Sequence, residues 1–216
     1  MRRFYRKIMS TPLSDARTRL MLVLPSTPGL TPEIADILTR AGDVAAVIMT
    51  SADGAPEALR VQHLHALAAP IQAAGAAFLV EGWTAKTKDE LVDGAHLRGF
   101  AAFKAVVSRL KPDLIAGAGG LDSRHEAMEV GEAGADYVLF GDAGLAFSEV
   151  LDLVSWWVDL FEVPCVGVAR DQEEALALAR AGADFVALTG DWLLEPQAGA
   201  VIASIDTAIR QTGTAQ

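Results

Sequence analysis

The 216-residue sequence predicts an α/β protein folded as a single (β/α)8 TIM barrel, and three observations carry that expectation. Short apolar runs and helical patterns alternate strictly along the chain. Their pace, about 25 residues per pair, is that of a βα array. The chain also repeats itself. "GEAGADYVLFGD" at Gly131–Asp142 is echoed by "RAGADFVALTGD" at Arg180–Asp191, and the Gly-Ala-Asp phrases begin 48 residues, two units, apart. A doubly wound open sheet is the competing architecture, but it usually has fewer strands at this length.

The predicted elements follow in order. Leu20–Leu24, an apolar run suited to a strand buried on both faces, precedes a helical pattern over Pro32–Arg40. Ala45–Met49 and Pro56–Ala73 form the second pair, Ala76–Val80 and roughly Thr84–Leu91 the third. Gly94–Leu97 leads to Ala101–Arg109, and Leu114–Gly117 to Ser123–Ala133. Good helix formers fill Glu126–Ala133, Gly134 stands where a C-cap belongs, and Tyr137–Phe140 is the sixth strand. Ser148–Phe161 is the next helix and Cys165–Val168 the seventh strand. Gln172–Ala181 then ends at Gly182 before Phe185–Leu188, and Ala198–Gln211 closes the series. The echo is scaffold, since Gly-Ala-Asp ends a helix and turns the chain into the sheet. It sets the sixth and eighth strands to point similar side chains into one interior layer.

With 51% apolar and 21% charged residues, the chain has material for one large core and no compositional boundary. Residues 1–18 read as a flexible basic arm and 19–216 as the barrel; the arm lacks the apolar run of about 7–15 residues that a secretory signal needs. No segment approaches the roughly 20 apolar residues of a membrane span. A formal net charge of −10 argues against nucleic acid as a partner. The lone Cys165, inside a strand, excludes an internal disulfide and is read as a small buried hydrophobe, consistent with a cytoplasmic protein.

From His125 through Ala169 there is no Lys or Arg, and most acids of that window belong to helix exteriors. Asp142 is different, because it follows the sixth strand and reaches the barrel mouth. Chemistry in a barrel belongs to the C-terminal ends of its strands. Those ends carry Ser26, then Thr50 and Ser51 with Asp53, then Glu81, then His96 and Arg98. Gly120 and Asp122, Asp142, Arg170 and Asp171, and Thr189, Gly190 and Asp191 follow. Asp122 and Asp171 precede helices and suit N-caps, and Ser26 suits a loop turn. Glu81, His96 and Asp142 have no such structural role and are the catalytic candidates, as acid–base groups. Thr50, Ser51, Arg98, Gly120, Arg170, Thr189 and Gly190 are the candidates for binding substrate or phosphate, with the seventh and eighth strand ends in the usual barrel phosphate position. Asp171 and Asp191 oppose an anion there unless Arg170 or a cation intervenes. Glu81, Asp142 and Asp191 are the carboxylates able to converge on a metal, but no compact ligand motif fixes a site. His63 and His65, on the second helix, are surface or packing residues.

"VDGAHLRG" at Val92–Gly99 resembles the Ala-Asp-Gly-Val-His-Leu-Gly phrase of thiamine phosphate synthases and the related TenI-like thiazole tautomerases. "HEAMEVGEAGADYVLFGD" and "VPCVGVARDQEEALALARAGADFVAL" resemble later units of the same family, and the likeness runs from Leu20 to Ala208. It implies a small phosphorylated substrate, Mg²⁺, and a reaction that joins a pyrimidine diphosphate to a thiazole phosphate through a carbocation. Such chemistry needs cations for the leaving diphosphate and carboxylates for the metal.

The mouth departs from that pattern. Where the family has Gln-x-Arg-x-Lys after the second strand, "VIMTSADG" offers Thr50, Ser51 and Asp53. Glu81-Gly82 stands for the third strand's Asn-Asp, and "HLRGFAAFK" lacks the family's second metal Asp. Gly120 and Asp122 replace Ser-x-His, the lysine after the sixth strand is missing, and Ala169-Arg170 replaces Gly-Gly. The resemblance thus implies a thiamine-pathway barrel that binds a phosphorylated thiazole or pyrimidine with most synthase groups replaced. A non-catalytic binding or regulatory barrel stays open, as does an enzyme of other specificity working through Glu81, His96 and Asp142. "SEVLDLVSWWVDLFE" at Ser148–Glu162 is apolar over more than the one face a barrel helix needs, which predicts a homodimer involving Trp156 and Trp157.

Overall fold

A computed structural model of the chain describes residues 17–51, 56–83, 87, 91–121, 123–142 and 144–213. Eight parallel strands close into a barrel in sequence order: β1 Arg19–Pro25, β2 Val44–Thr50, β3 Ala77–Glu81, β4 Gly94–Arg98, β5 Ile115–Gly119, β6 Tyr137–Phe140, β7 Cys165–Ala169 and β8 Phe185–Leu188. The ring closes where β1 pairs with β8, from Arg19 opposite Phe185 to Leu22 opposite Leu188. Among the described residues seven α-helices cover the barrel: α1 Pro32–Arg40, α2 Glu57–Ala73, α3 Phe100–Leu110, α4 Arg124–Glu132, α5 Phe147–Leu160, α6 Gln172–Arg180 and α7 Ala198–Gly213. A 3-10 turn, Asp191–Leu194, follows β8.

The helix expected over Thr84–Leu91, the arm to residue 16, Asp53 and Asp122 lie outside the described residues. Two local expectations shift. β5 begins at Ile115 and runs on to Gly119, which carries the strand two residues nearer the mouth. The cap of α4 is Ser123, whose side chain accepts from the Glu126 N–H, so the capping role expected of Asp122 belongs to its neighbour. Asp171 does cap α6, accepting from the Glu174 N–H at 2.9 Å.

The strands are buried on both faces because each separates two apolar layers. Met21, Ile48, Leu79, Ile115, Leu139 and Val166 fill the interior, joined by Tyr137 and Phe185 from the two echoing strands. The alternate residues, among them Leu22, Phe78, Val138, Phe140 and Val186, pack outward against the helices.

The aspartates of the repeat have a mechanical role at the barrel's lower end. Asp93, Asp136 and Asp184 each precede an even-numbered strand and accept a hydrogen bond from a backbone N–H of the strand before it. Asp93 Oδ2 takes the Phe78 N–H at 2.8 Å, Asp136 Oδ2 the Ala116 N–H at 2.7 Å, and Asp184 Oδ2 the Cys165 N–H at 2.8 Å. Asp43, before β2, takes the Arg19 Nε–H at 3.0 Å instead. A carboxylate satisfies a strand-start donor that the ladder leaves unpaired, which is why an aspartate stands before β4, β6 and β8. The buried Cys165 thiol beside Asp184 is pushed up to about 12, first by burial and then by that carboxylate's charge, and is inert.

Helix α5 separates the two tryptophans that the sequence associates with a partner contact. Trp157 is 1% exposed, donates its indole N–H to the Val163 carbonyl at 2.7 Å and stacks on Phe161 with centroids 4.1 Å apart. Trp156, one residue and about 100° away, is half-buried, with the Arg124 guanidinium 4.9 Å above its ring. Among the described residues no helix is long and apolar enough to cross a membrane.

Candidate functional site

A cavity of about 560 Å³ opens at the C-terminal ends of the strands. Its floor is apolar, made by Val23, Ile48, Leu139 and Val168. Its wall carries Thr50 and Ser51 from the β2 end, Glu81 from β3, His96 and Arg98 from β4, Asp142 after β6, Arg170 after β7 and Thr189 after β8. These are eight of the ten residues the sequence singles out. Gly120 and Gly190 are not on the lining. Gly120 serves the site through its N–H, given to Asp142 Oδ1 at 2.7 Å, and Gly190 leads into the 3-10 turn. Asp191, on that turn, is exposed.

His96 stands at the centre of a chain of polar contacts. Its Nδ1 is 2.9 Å from the Tyr137 hydroxyl, and the two rings lie within 11° of parallel. Its Nε2 is 3.5 Å from Asp142 Oδ2. Burial, and then the charges of Asp142 and Asp136, raise the Tyr137 phenol well above its ordinary value, so the hydroxyl keeps its proton. In the tautomer whose Nδ1 accepts that proton, the ring's own N–H is on Nε2, aimed at Asp142.

The space for this chain comes from β5. A side chain at Gly117 would meet the Tyr137 ring at 2.0 Å, and one at Gly119 would meet His96 Nε2 at 2.5 Å and Asp142 Oδ2 at 2.6 Å. Two inward positions left without side chains let two rings lean across them. Tyr137 and Gly117 are among the residues that sequence reasoning missed, and the role of Gly119 as open space was missed with them. The signal was present, because Gly117-x-Gly119 lies at the two-residue period of one strand face and Tyr137 begins the neighbouring strand.

Asp142 is the most engaged carboxylate of the mouth. Burial works to raise its pKa, but the hydrogen bond and charge of His96, the Gly120 amide and Arg98 together outweigh that and hold it below the ordinary carboxylate value. Arg98 Nη1 is 3.2 Å from Asp142 Oδ2 and 3.7 Å from Glu81 Oε1, while its Nη2 donates to the Asp142 carbonyl at 2.8 Å. Glu81 Oε2 accepts the Ser51 N–H at 3.2 Å. Arg60 of α2, not among the sequence candidates, donates to Ser51 Oγ at 3.3 Å and to the Glu81 carbonyl. Arg170 is exposed and pairs loosely with Glu174 at 3.7 Å. Ser26 and His63 form a separate buried pair, Oγ to Nδ1 at 2.8 Å, away from the lining. The packing role expected of His63 is therefore correct, and His65 is exposed.

Mg²⁺ needs near-octahedral oxygen ligands, and the described residues do not fit it. Both Asp142 oxygens and both Glu81 oxygens already face donors, and a guanidinium lies between the two carboxylates. Among the described residues no group of three or more His, Cys, Asp or Glu is placed to hold a metal.

The chain matches the family model described as thiamine monophosphate synthase over residues 20–191. It is 31% identical over 204 residues to a thiamine-phosphate synthase of Rhodospirillum centenum, covering 89% of this chain and 98% of that one. A thiamine-phosphate synthase of Hyphomonas neptunium is 34% identical over 199 residues, covering 82% and 86%. One of Erythrobacter litoralis is 39% identical over 138 residues, a match spanning 57% of this chain and 65% of the relative. Among solved structures, thiamine phosphate pyrophosphorylase from Pyrococcus furiosus superposes with a TM-score of 0.72 at 19% identity, over 89% of this chain and 96% of that one. The tryptophan synthase alpha chain from Legionella pneumophila reaches the same TM-score, 0.72, at 14% identity over 98% of both chains, a likeness of fold alone. A barrel whose ordered phrases, family match and near-full-length relatives agree belongs to the thiamine phosphate synthase/TenI-like family.

Proposed function

We propose that this barrel binds a phosphorylated thiazole or pyrimidine of thiamine biosynthesis in the cavity at its strand ends, and that it couples the two poorly or not at all. The carrying observation is the charge of the lining, where Glu81 and Asp142 stand against Arg98 and Arg170. Arg98 is held by both carboxylates, so among the described lining residues Arg170 is the cation left to meet a phosphate, beside Thr50, Ser51 and Thr189. One exposed guanidinium suits a monophosphate over an apolar floor; it is weak equipment for expelling a diphosphate. A cytoplasmic setting and a homodimer belong to the same proposal, supported by the biosynthetic family and by exposed Val158 and Leu160 on α5.

A calorimetric titration with thiazole phosphate tests the binding. The wild type binds one equivalent, and Arg170→Ala weakens it by about 1 kcal/mol, the low end for a charge-assisted contact, because Arg170 is half in water. In a parallel coupling assay with hydroxymethylpyrimidine diphosphate, this chain turns over at least about 1000-fold more slowly than the Rhodospirillum centenum relative, a loss of roughly 4 kcal/mol of transition-state stabilisation. Turnover at the relative's rate, or no binding of either ligand, sinks the proposal.

A second function is favoured by one observation, the Tyr137–His96–Asp142 chain against the cavity. An imidazole held between a phenol and a carboxylate suits proton transfer on a bound thiazole, as a tautomerase requires. Solvent deuterium appearing in thiazole phosphate, and vanishing with His96→Asn, is the outcome that selects it.

A further inference from the structure

We infer that the Arg98 guanidinium is the resident cation of this mouth, filling the place between Glu81 and Asp142 that a divalent ion would need, so that the cavity takes its anionic ligand without a metal. The placement is built in. Arg98 ends β4 opposite Gly119 of β5, and its neighbour His96 is opposite Glu81 of β3, so the ladder fixes where the side chain starts. From there the guanidinium reaches the Asp142 carbonyl, the Asp142 carboxylate and the Glu81 carboxylate. Two carboxylates facing each other across a mouth need a positive charge between them, and a guanidinium with five fixed N–H donors supplies it permanently. The side chain is 47% exposed and lines the cavity, so its charge faces the ligand space while the two carboxylates hold it in place. A divalent ion entering the same place would meet a positive charge and carboxylate oxygens already occupied.

This inference rests on the proposed function only in taking the cavity as the ligand site, and its test uses a metal alone. Mn²⁺ serves as the probe because it shares the octahedral oxygen preference of Mg²⁺ and its free form is read by electron paramagnetic resonance. The wild-type chain leaves Mn²⁺ free up to millimolar concentration. Arg98→Met unmasks the carboxylates and binds one Mn²⁺ per chain about tenfold or more tightly, a change of 1.4 kcal/mol or more. The double variant Arg98→Met with Glu81→Gln loses that ion, and Arg98→Lys, which restores a charge, never gains it. Circular dichroism checks that each variant is folded, and Arg98→Gln replaces Arg98→Met if the latter is not. Micromolar Mn²⁺ binding by the wild type that Glu81→Gln removes overturns the inference. A folded Arg98→Met chain that gains no ion overturns it as well. Neither result touches thiazole phosphate binding, so the two proposals fail separately.

Discussion

Asp142 shows how much one residue of the mouth settles. It takes hydrogen bonds from Gly120 and Arg98, the latter at its carbonyl, and faces His96, and its carboxyl is held below the ordinary value despite burial. A carboxyl depressed in the folded state stabilises the protein above its unfolded pKa, and that stability is lost as pH falls through the folded pKa. The window therefore opens below about pH 4. Melting curves between pH 6 and pH 3 should show the wild type losing stability more steeply than Asp142→Asn; parallel curves would remove Asp142 from the acid response. Tyr137 makes a different prediction. Tyr137→Phe leaves a buried imidazole nitrogen without a partner and should cost about 1–3 kcal/mol in urea unfolding. It should also shift the pH profile of any His96-dependent activity, which a purely structural hydroxyl would not do. Glu81, His96, Arg98 and Asp142 were legible in the sequence because barrels place chemistry at strand ends. Tyr137 was not, because an inward aromatic at a strand start reads as core until the empty glycine positions beside it are seen.

At the scale of the element, α5 was only half legible. Apolar residues covering more than one face announce that the helix has neighbours on several sides, but adjacent tryptophans cannot say which of them turns inward. The structure resolves this through Val163, whose carbonyl receives the Trp157 indole, and through Phe161, which folds back onto both rings. Trp157→Ala should therefore cost about 3–5 kcal/mol, read as a lower urea midpoint, and should leave the oligomeric state alone. The proposed dimer face moves instead to Val158 and Leu160, which are 37% and 63% exposed. Leu160→Glu should convert a dimer to a monomer in light scattering without lowering the melting temperature by more than a surface change does. A wild type that is monomeric at high micromolar concentration ends the dimer proposal. The strand boundaries were legible to within one residue, and the exception, the end of β5, is informative. Its run "IAGAG" is too poor in side chains to mark its own end, because it carries space rather than packing.

The whole molecule divides into a lower end that the sequence states openly and a mouth that it rewrites. The two Gly-Ala-Asp phrases were legible as a repeat, and their aspartates, like Asp93 before β4, answer the same backbone problem, an unpaired strand-start N–H. The mouth has no repeat to read, since each strand end meets a different part of the cavity. The ring is closed by Arg19–Leu22 lying against Phe185–Leu188, partners separated by most of the chain. On the ribosome, which adds about 5–20 residues per second, β1 emerges roughly 8–33 s before the strand that completes its ladder. For that interval one side of Leu20–Leu24 is an uncovered edge, a template for any other nascent strand. Crowded synthesis is thus the moment of greatest aggregation risk for this barrel, although among the described residues the finished ring has no sheet edge.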